Sequence, residues 1–156
     1  MTTDLKDTFW DRIEDVQAGL LETGGTRPVP MSPMARKDDK AIWFITAEGT
    51  AANEAAKTGA KATFNVADPK AHLFATIDGT LEQSHDKAKL DELWSPVASA
   101  WFEEGQEDKD VRLIRFTPSD AEVWATDGGA KFLYEIAKAH VTEEKPDMGD
   151  HGRVMF

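Results

Sequence analysis

Residues 26–47 read TRPVPMSPMARKDDKAIWFITA. Two apolar stretches flank the charged run RKDDK at 36–40, which belongs in water, so the segment reads as a β-hairpin with its turn there. Pro28, Pro30 and Pro33 have no N–H to give to a ladder, which confines the first strand to a sheet edge or interrupts it with bulges.

The pattern continues in both directions. Downstream, Thr50 is a good N-cap for a short helix over about 50–58 that Gly59 stops, and AKATFNVAD at 60–68 is a third strand. AHLFATIDGTLEQ at 71–83 alternates: Leu73, Ala75, Ile77, Gly79 and Leu81 share one face, while His72, Phe74, Thr76, Asp78 and Thr80 share the other. Leu90, Leu93, Trp94, Val97 and Trp101 recur at helical spacing, with Ser95 as N-cap and Pro96 opening a second helix. VRLIRFTPSDAEVWAT at 111–126 gives two short strands about TPSD, or one strand bent there. Phe132, Leu133, Ile136 and His140 indicate a last helix. Upstream, Phe9, Ile13, Val16 and Leu20 predict a helix over about 4–22. Strands joined mostly by hairpins argue for a mainly β fold, an antiparallel barrel or sheet with peripheral helices, and against a doubly wound sheet. One domain over 1–142 is expected, with a loose tail over 143–156.

With 18 basic against 29 acidic residues the formal charge is −11, which disfavours nucleic acid and anionic membrane surfaces as partners. The absence of cysteine removes disulfides, thiolate nucleophiles and cysteine-ligated metals. The N-terminus is acidic and amphipathic, and no apolar run approaches about 20 residues; a soluble, cytoplasmic protein is the expectation. The four histidines are scattered without metal-ligand spacing, so no metal site is expected. No carboxylate pair stands out as a catalytic dyad, and no catalytic base is assigned.

Two features invite a ligand. IWFITAEGTAANEAAK at 42–57 runs a strand through Thr46 and Thr50 into a helix start, where backbone N–H groups lack internal partners. Any helix is served by such a cap, so the motif alone does not separate an anion site from an ordinary helix start. Trp94 and Trp101 share a helix face with Leu90 and Val97, as core or dimer packing would require; Trp43 reads as core. Trp124, at a strand end before a glycine turn, is the tryptophan placed to border a pocket.

Three segments carry a resemblance: VPMSPMARKDDKAIWFIT at 29–46, DGTLEQSHDKAKLDELWSPVASAWFEEGQED at 78–108 and VRLIRFTPSDAEVWA at 111–125. Across about residues 5 to 126 the chain resembles the general stress protein 26 group of the pyridoxamine 5'-phosphate oxidase-like, FMN-binding split-barrel proteins. The resemblance implies a six-stranded antiparallel split β-barrel, a homodimer, and FMN in clefts at the dimer interface with a redox-linked role. The group's flavin contacts map onto Pro30, Met31, Ile45 and Thr46, with Thr50 standing for a serine that grips the phosphate. Two positions depart: Val29 stands where the group has arginine, and Ala52 where it has lysine. Two charge-assisted phosphate contacts are worth roughly 1.5–3 kcal/mol each, so their loss weakens FMN by orders of magnitude. Arg27, about 7 Å along a strand from Val29, is the nearest replacement in the chain; Arg112, Arg115 or Lys131 of a partner subunit is another source, and Lys57, about 7–8 Å further up the helix than Ala52, is a poor substitute. The alternatives are a split barrel that has lost flavin and acts as a stress or interaction protein, and a cleft that takes another flavin, a deazaflavin or a haem-related molecule. The resemblance is to the stress-protein group rather than to the oxidase that acts on pyridoxamine phosphate.

Overall fold

The structure, a computed structural model, describes residues 4–127, 129–142, 145 and 149–156. Helix α1 (Leu5–Ile13) starts at Asp4, whose carboxylate accepts from the Lys6 amide, and buries Phe9, Trp10 and Ile13. It stops nine residues earlier than its apolar spacing predicts, because residues 19–22 alternate instead: Leu21 is buried and Leu20 half-exposed in strand β1 (Gly19–Glu22). Gly19 makes that strand possible. A Cβ there would lie 2.5 Å from the Phe64 ring and 2.6 Å from the Asn65 carbonyl oxygen, so only glycine permits this approach to the neighbouring strand.

The expected hairpin is present but its first arm is divided. β2 (Val29–Met31) and β3 (Met34–Arg36) are separate strands, and β3 pairs with β4 (Ala41–Ala47) across the RKDDK turn. Then come α2 (Ala51–Lys57), β5 (Lys61–Asp68), β6 (Leu73–Ser84), α3 (Lys87–Leu93), α4 (Pro96–Trp101), β7 (Val111–Thr126), α5 (Gly129–Thr142) and β8 (Gly149–Met155). Ser95 caps α4 through the Ala98 amide with Pro96 in its first turn, as read from the sequence. TPSD lies within one 16-residue strand, and Ser119 is the extra residue of a bulge between the Asp78–Asp120 and Gly79–Pro118 pairs.

All eight strands belong to one antiparallel sheet in the order β2-β1-β5-β6-β7-β4-β3, with β8 also on β7. The two ends of that order, β2 and β3, are consecutive in the chain and joined only by Ser32 and Pro33. Two linking residues span at most about 11 Å, so the sheet has to curl until its ends nearly meet. They do not hydrogen-bond, and the result is a split barrel. It has eight strands rather than the expected six: β1 was hidden in a helical pattern and β8 in a tail expected to be loose.

Inside the curl, Phe44 packs edge-on against Phe64 at 5.1 Å and Phe116 at 6.4 Å, within a cluster that includes Leu73, Ile77, Leu81, Ile114 and Val123. Arg12 fastens α1 to the sheet, donating at 2.7 Å to the carbonyls of both His72 and Thr126. A second, smaller cluster lies on the outer face of β4, where Ala41, Trp43 and Leu113 meet Leu93 of α3. The Trp43 indole and Lys89 both donate to Asp39, at 3.0 and 2.8 Å, and Lys89 and Arg115 lie within 6 Å of the Trp43 ring centroid. Of the predicted Trp94–Trp101 seam only part is covered: Trp101 is 80% exposed and Val97 64%.

The tail is not loose over Gly149–Met155, which pairs with β7 from Asp120 to Thr126. Val154 is buried, and Phe156 meets Phe9 and Trp10 at 5.3 and 5.7 Å. Phe156→Ala is therefore expected to cost about 2 kcal/mol, read as a lower urea midpoint at unchanged m-value; an unchanged midpoint would return the tail to a solvated appendage.

The Asp39 cluster carries a pH signature. The Lys89 hydrogen bond, then that of Trp43, holds the Asp39 carboxyl below the usual carboxylate range. A depressed folded pKa gives stability that is complete above the unfolded value of about 3.9 and lost as pH falls through the lower folded value. Asp39→Asn should cost about 1 kcal/mol at pH 7, and its stability gap to the parent should close below about pH 4. A gap that ignores pH would show that the charge is not what matters.

Candidate functional site

The split is where the fold leaves backbone unpaired. β4 pairs with β7 from Ile42 to Ala47, but with β3 only as far as Trp43 opposite Met34. Past that point the β3 edge of Ile45, Thr46 and Ala47 has no strand partner among the described residues, because Pro33 and Ser32 carry the chain away to β2. On the other side of the opening β2 pairs with β1 alone. Met31 packs against the main core, and Val29 and Pro30 are exposed. Alternation along β4 sends Phe44 into the barrel and Ile45 toward the outer cluster with Trp43. The lips of the split are thus Pro30 and Met31 on one side, Ile45 and Thr46 on the other, and they are mainly apolar.

At the end of the β4 lip the chain turns through Glu48 and Gly49, whose φ of 86° suits glycine, into Thr50, the N-cap of α2. Thr50 is fully engaged: its Oγ1 accepts from the Asn53 amide at 3.2 Å, lies 3.0 Å from the Ala47 carbonyl oxygen and 3.0 Å from Thr46 Oγ1. Asn53 is completely buried. Its Oδ1 accepts from Gln83 at 2.8 Å and its Nδ2 donates to Glu48 at 3.4 Å. Glu48 is the hub: its carboxylate accepts from Lys57 Nζ at 3.0 Å and from Arg112 Nε and Nη2 at 2.8 and 2.7 Å, while its amide donates to the Asp110 carbonyl. The Lys57 bond, then the charge of Lys57 and Arg112, holds the Glu48 carboxyl below its ordinary range, and Glu48 in turn pushes Lys57 up.

Trp124 is distant from Thr46 but shares a hollow with Pro30 of the lip. It is on the outer face of β7, twelve residues beyond Arg112, which pairs with Thr46, or about 40 Å of strand contour. It stacks on His151 with ring centroids 4.8 Å apart and planes 5° apart. With Leu20, Pro30, Phe74 and Thr76 it lines a shallow hollow of about 420 Å³ on the outside of the sheet. Among the described residues no group of three or more His, Asp or Glu is placed to hold a metal ion, and no helix is long and apolar enough to cross a membrane.

This geometry has known counterparts. A family model described as pyridoxamine 5'-phosphate oxidase like matches residues 4–147. The chain belongs to that family. Among solved structures, a protein of Jannaschia sp. CCS1 described as a general stress protein 26 is 52% identical over 99% of this chain and 100% of its own, with a TM-score of 0.93. A general stress FMN/FAD binding protein of Xanthomonas citri is 27% identical over 82% of this chain and 93% of its own, with a TM-score of 0.72. An FAD binding protein of Mycobacterium smegmatis, 18% identical with a TM-score of 0.53 over 78% of this chain and 95% of its own, shares the fold. A search of curated proteins returned no match.

In this member of the family the candidate residues divide into groups. Pro30, Met31, Ile45 and Thr46 lie on the lips, and Thr46 and Thr50 touch. Val29 is 39% exposed beside them. Arg27 lies in the exposed chain before β2 rather than in the strand, so the strand-face argument for it does not apply, and it has no ion-pair partner among the described residues. Ala52 does not border the turn: together with Ala56 it packs into the main core, 2% exposed. Arg112 and Arg115 are engaged within their own chain, Arg112 on Glu48 and Arg115 on the Asp39 carbonyl at 2.7 Å. The side chain of Lys131 lies outside the described residues. Glu48, Asn53 and Gln83 were not singled out from the sequence. An acid beside a glycine turn reads as an ordinary solvated residue, and the 30-residue gap between Asn53 and Gln83 leaves no local signal.

A flavin fits this opening at one end only. The apolar lips suit an isoalloxazine ring. The turn does not suit a phosphate: its cations are already spent on a carboxylate, and no cation comes from Val29 or Ala52. Thr50→Ala should remove both the cap and the tie to Thr46, costing about 1 kcal/mol, with Thr50→Ser close to the parent in thermal unfolding; equal loss in both variants would place the effect in the threonine methyl instead.

Proposed function

We propose that this chain is a flavin-binding protein of the general stress type, a homodimer that holds the isoalloxazine ring of a flavin in the split of each barrel and has a redox-linked role with a small acceptor. The observation that carries this reading is the unpaired β4 edge at Ile45–Thr46 near one end of the sheet order, with Pro30 and Met31 on β2 at the other end, the positions where the family resemblance puts the flavin. The 27% identity to an FMN/FAD binding relative across 93% of that protein supports it. When bound, the flavin supplies the electron chemistry; the chain's own part is to seat the ring between apolar lips and to shelter it from water.

Dimerisation is supported by exposed apolar side chains that one barrel does not bury. Leu20, Val29 and Trp124 are 39–45% exposed, and Trp101 and Val97 more so. A partner on the outer face of the sheet would cover Leu20, Phe74 and Trp124 together. FMN is the family's cofactor, but the grip of this chain on its phosphate is weak, since the turn offers no unpaired cation. A second reading, a split barrel that has lost flavin and works through a protein partner, is favoured by Val29 and by the closed Glu48 network.

Fluorescence titration of the apo-protein with flavin tests the first reading. Saturable quenching is expected, together with a dimer in sedimentation at micromolar concentration. No saturable change with any flavin at high micromolar protein would leave the second reading in possession, and a monomer in sedimentation would remove the dimer.

A further inference from the structure

We propose that Glu48 is an internal counter-anion that fills the phosphate end of the split, so that this chain selects a flavin by its ring and binds riboflavin at least as tightly as FMN. The inference rests on the flavin reading above and adds which flavin the site takes.

Three observations carry it. First, Glu48 takes both nearby cations: Arg112 through Nε and Nη2, and Lys57 through Nζ. Arg112 is held on its other side too, where its Nη1 donates to the carbonyls of Lys109 and Val111 at 2.8 and 2.9 Å. Lys57 is shared further with Glu54 at 3.0 Å. Two cations thus face two carboxylates, and the turn has no net positive charge to attract a dianion. Second, the side-chain donors of the turn and the Asn53 amide are engaged as well. The Asn53 amide goes to Thr50, its Nδ2 to Glu48, and the Thr50 hydroxyl lies within reach of Ala47 O and Thr46. Third, Glu48 is not free to swing away without loss. Its amide is tied to Asp110, and displacing its carboxylate would break the contacts to Arg112, Lys57 and the buried Asn53 at once. A phosphate arriving here meets a negative charge held in place by its two cations, or has to displace it from them. Riboflavin differs from FMN by that phosphate alone and meets neither obstacle.

The ratio of FMN to riboflavin affinity isolates this end of the ligand. In the parent the ratio is expected to be one or less and to change little between low and high salt, because Arg112 and Lys57, the cations of the turn, are already paired with carboxylates. In Glu48→Gln, which keeps the side chain's shape and removes its charge, FMN affinity should rise about tenfold or more with riboflavin unchanged. FMN binding tenfold tighter than riboflavin in the parent, or FMN binding that collapses with salt, would overturn the inference while leaving flavin binding intact. So would a folded Glu48→Gln protein with an unaltered ratio. Should that variant fail to fold, the parent's ratio and its salt dependence still decide. Failure of both flavins to bind parent and variant alike would remove the flavin reading itself, and this inference with it.

Discussion

A two-residue link governs this molecule. Ser32 and Pro33 join β2 and β3, which stand at opposite ends of the sheet order, and a covalent tether that short forces the sheet to roll up. Proline at 33 then denies the closing strands a ladder bond at the point where they come nearest. Closure without pairing is what leaves the β3 edge of β4 open past Trp43. The same few residues therefore account for the barrel and for the opening in it, and the Phe44, Phe64 and Phe116 contacts inside hold the curl that the tether imposes.

The opening has two chemically different ends, and the difference is set by neighbours rather than by the lips. Ile45, Pro30 and Met31 are there because the strands bring them. The turn after β4 is different because of a cross-sheet partner: β7 delivers Arg112 opposite Thr46, and α2 delivers Lys57. In a site built to grip phosphate those cations would point at the ligand. Here Glu48 stands between them and takes both, while Ala52, the position at which the family resemblance leads one to look for a lysine, is turned into the core beside Ala56.

Much of this was legible in the chain. The hairpin about RKDDK, the alternation of 73–81, the Ser95–Pro96 helix start and the Thr50 cap each rest on local chemistry that context did not override. What stayed hidden was non-local. β1 carries apolar residues that also fit the helix before it, and only contact with Phe64 and Asn65 makes Gly19 a strand residue. β8 has one buried side chain, Val154, among polar neighbours, so its strand character comes from the β7 edge it pairs with. The residues flanking the split were named through the family resemblance. The occupant of its far end was not, because Glu48 acquires meaning only when β7 and α2 place two cations around it.

A crystal structure of the protein grown with riboflavin tests the account most directly. The account predicts the isoalloxazine between the Pro30–Met31 lip and the Ile45–Thr46 edge, with Glu48 still paired to Arg112. A flavin seated away from Ile45 and Thr46, for example against Trp124 and Phe74, or a split that stays empty at saturating riboflavin, would contradict it.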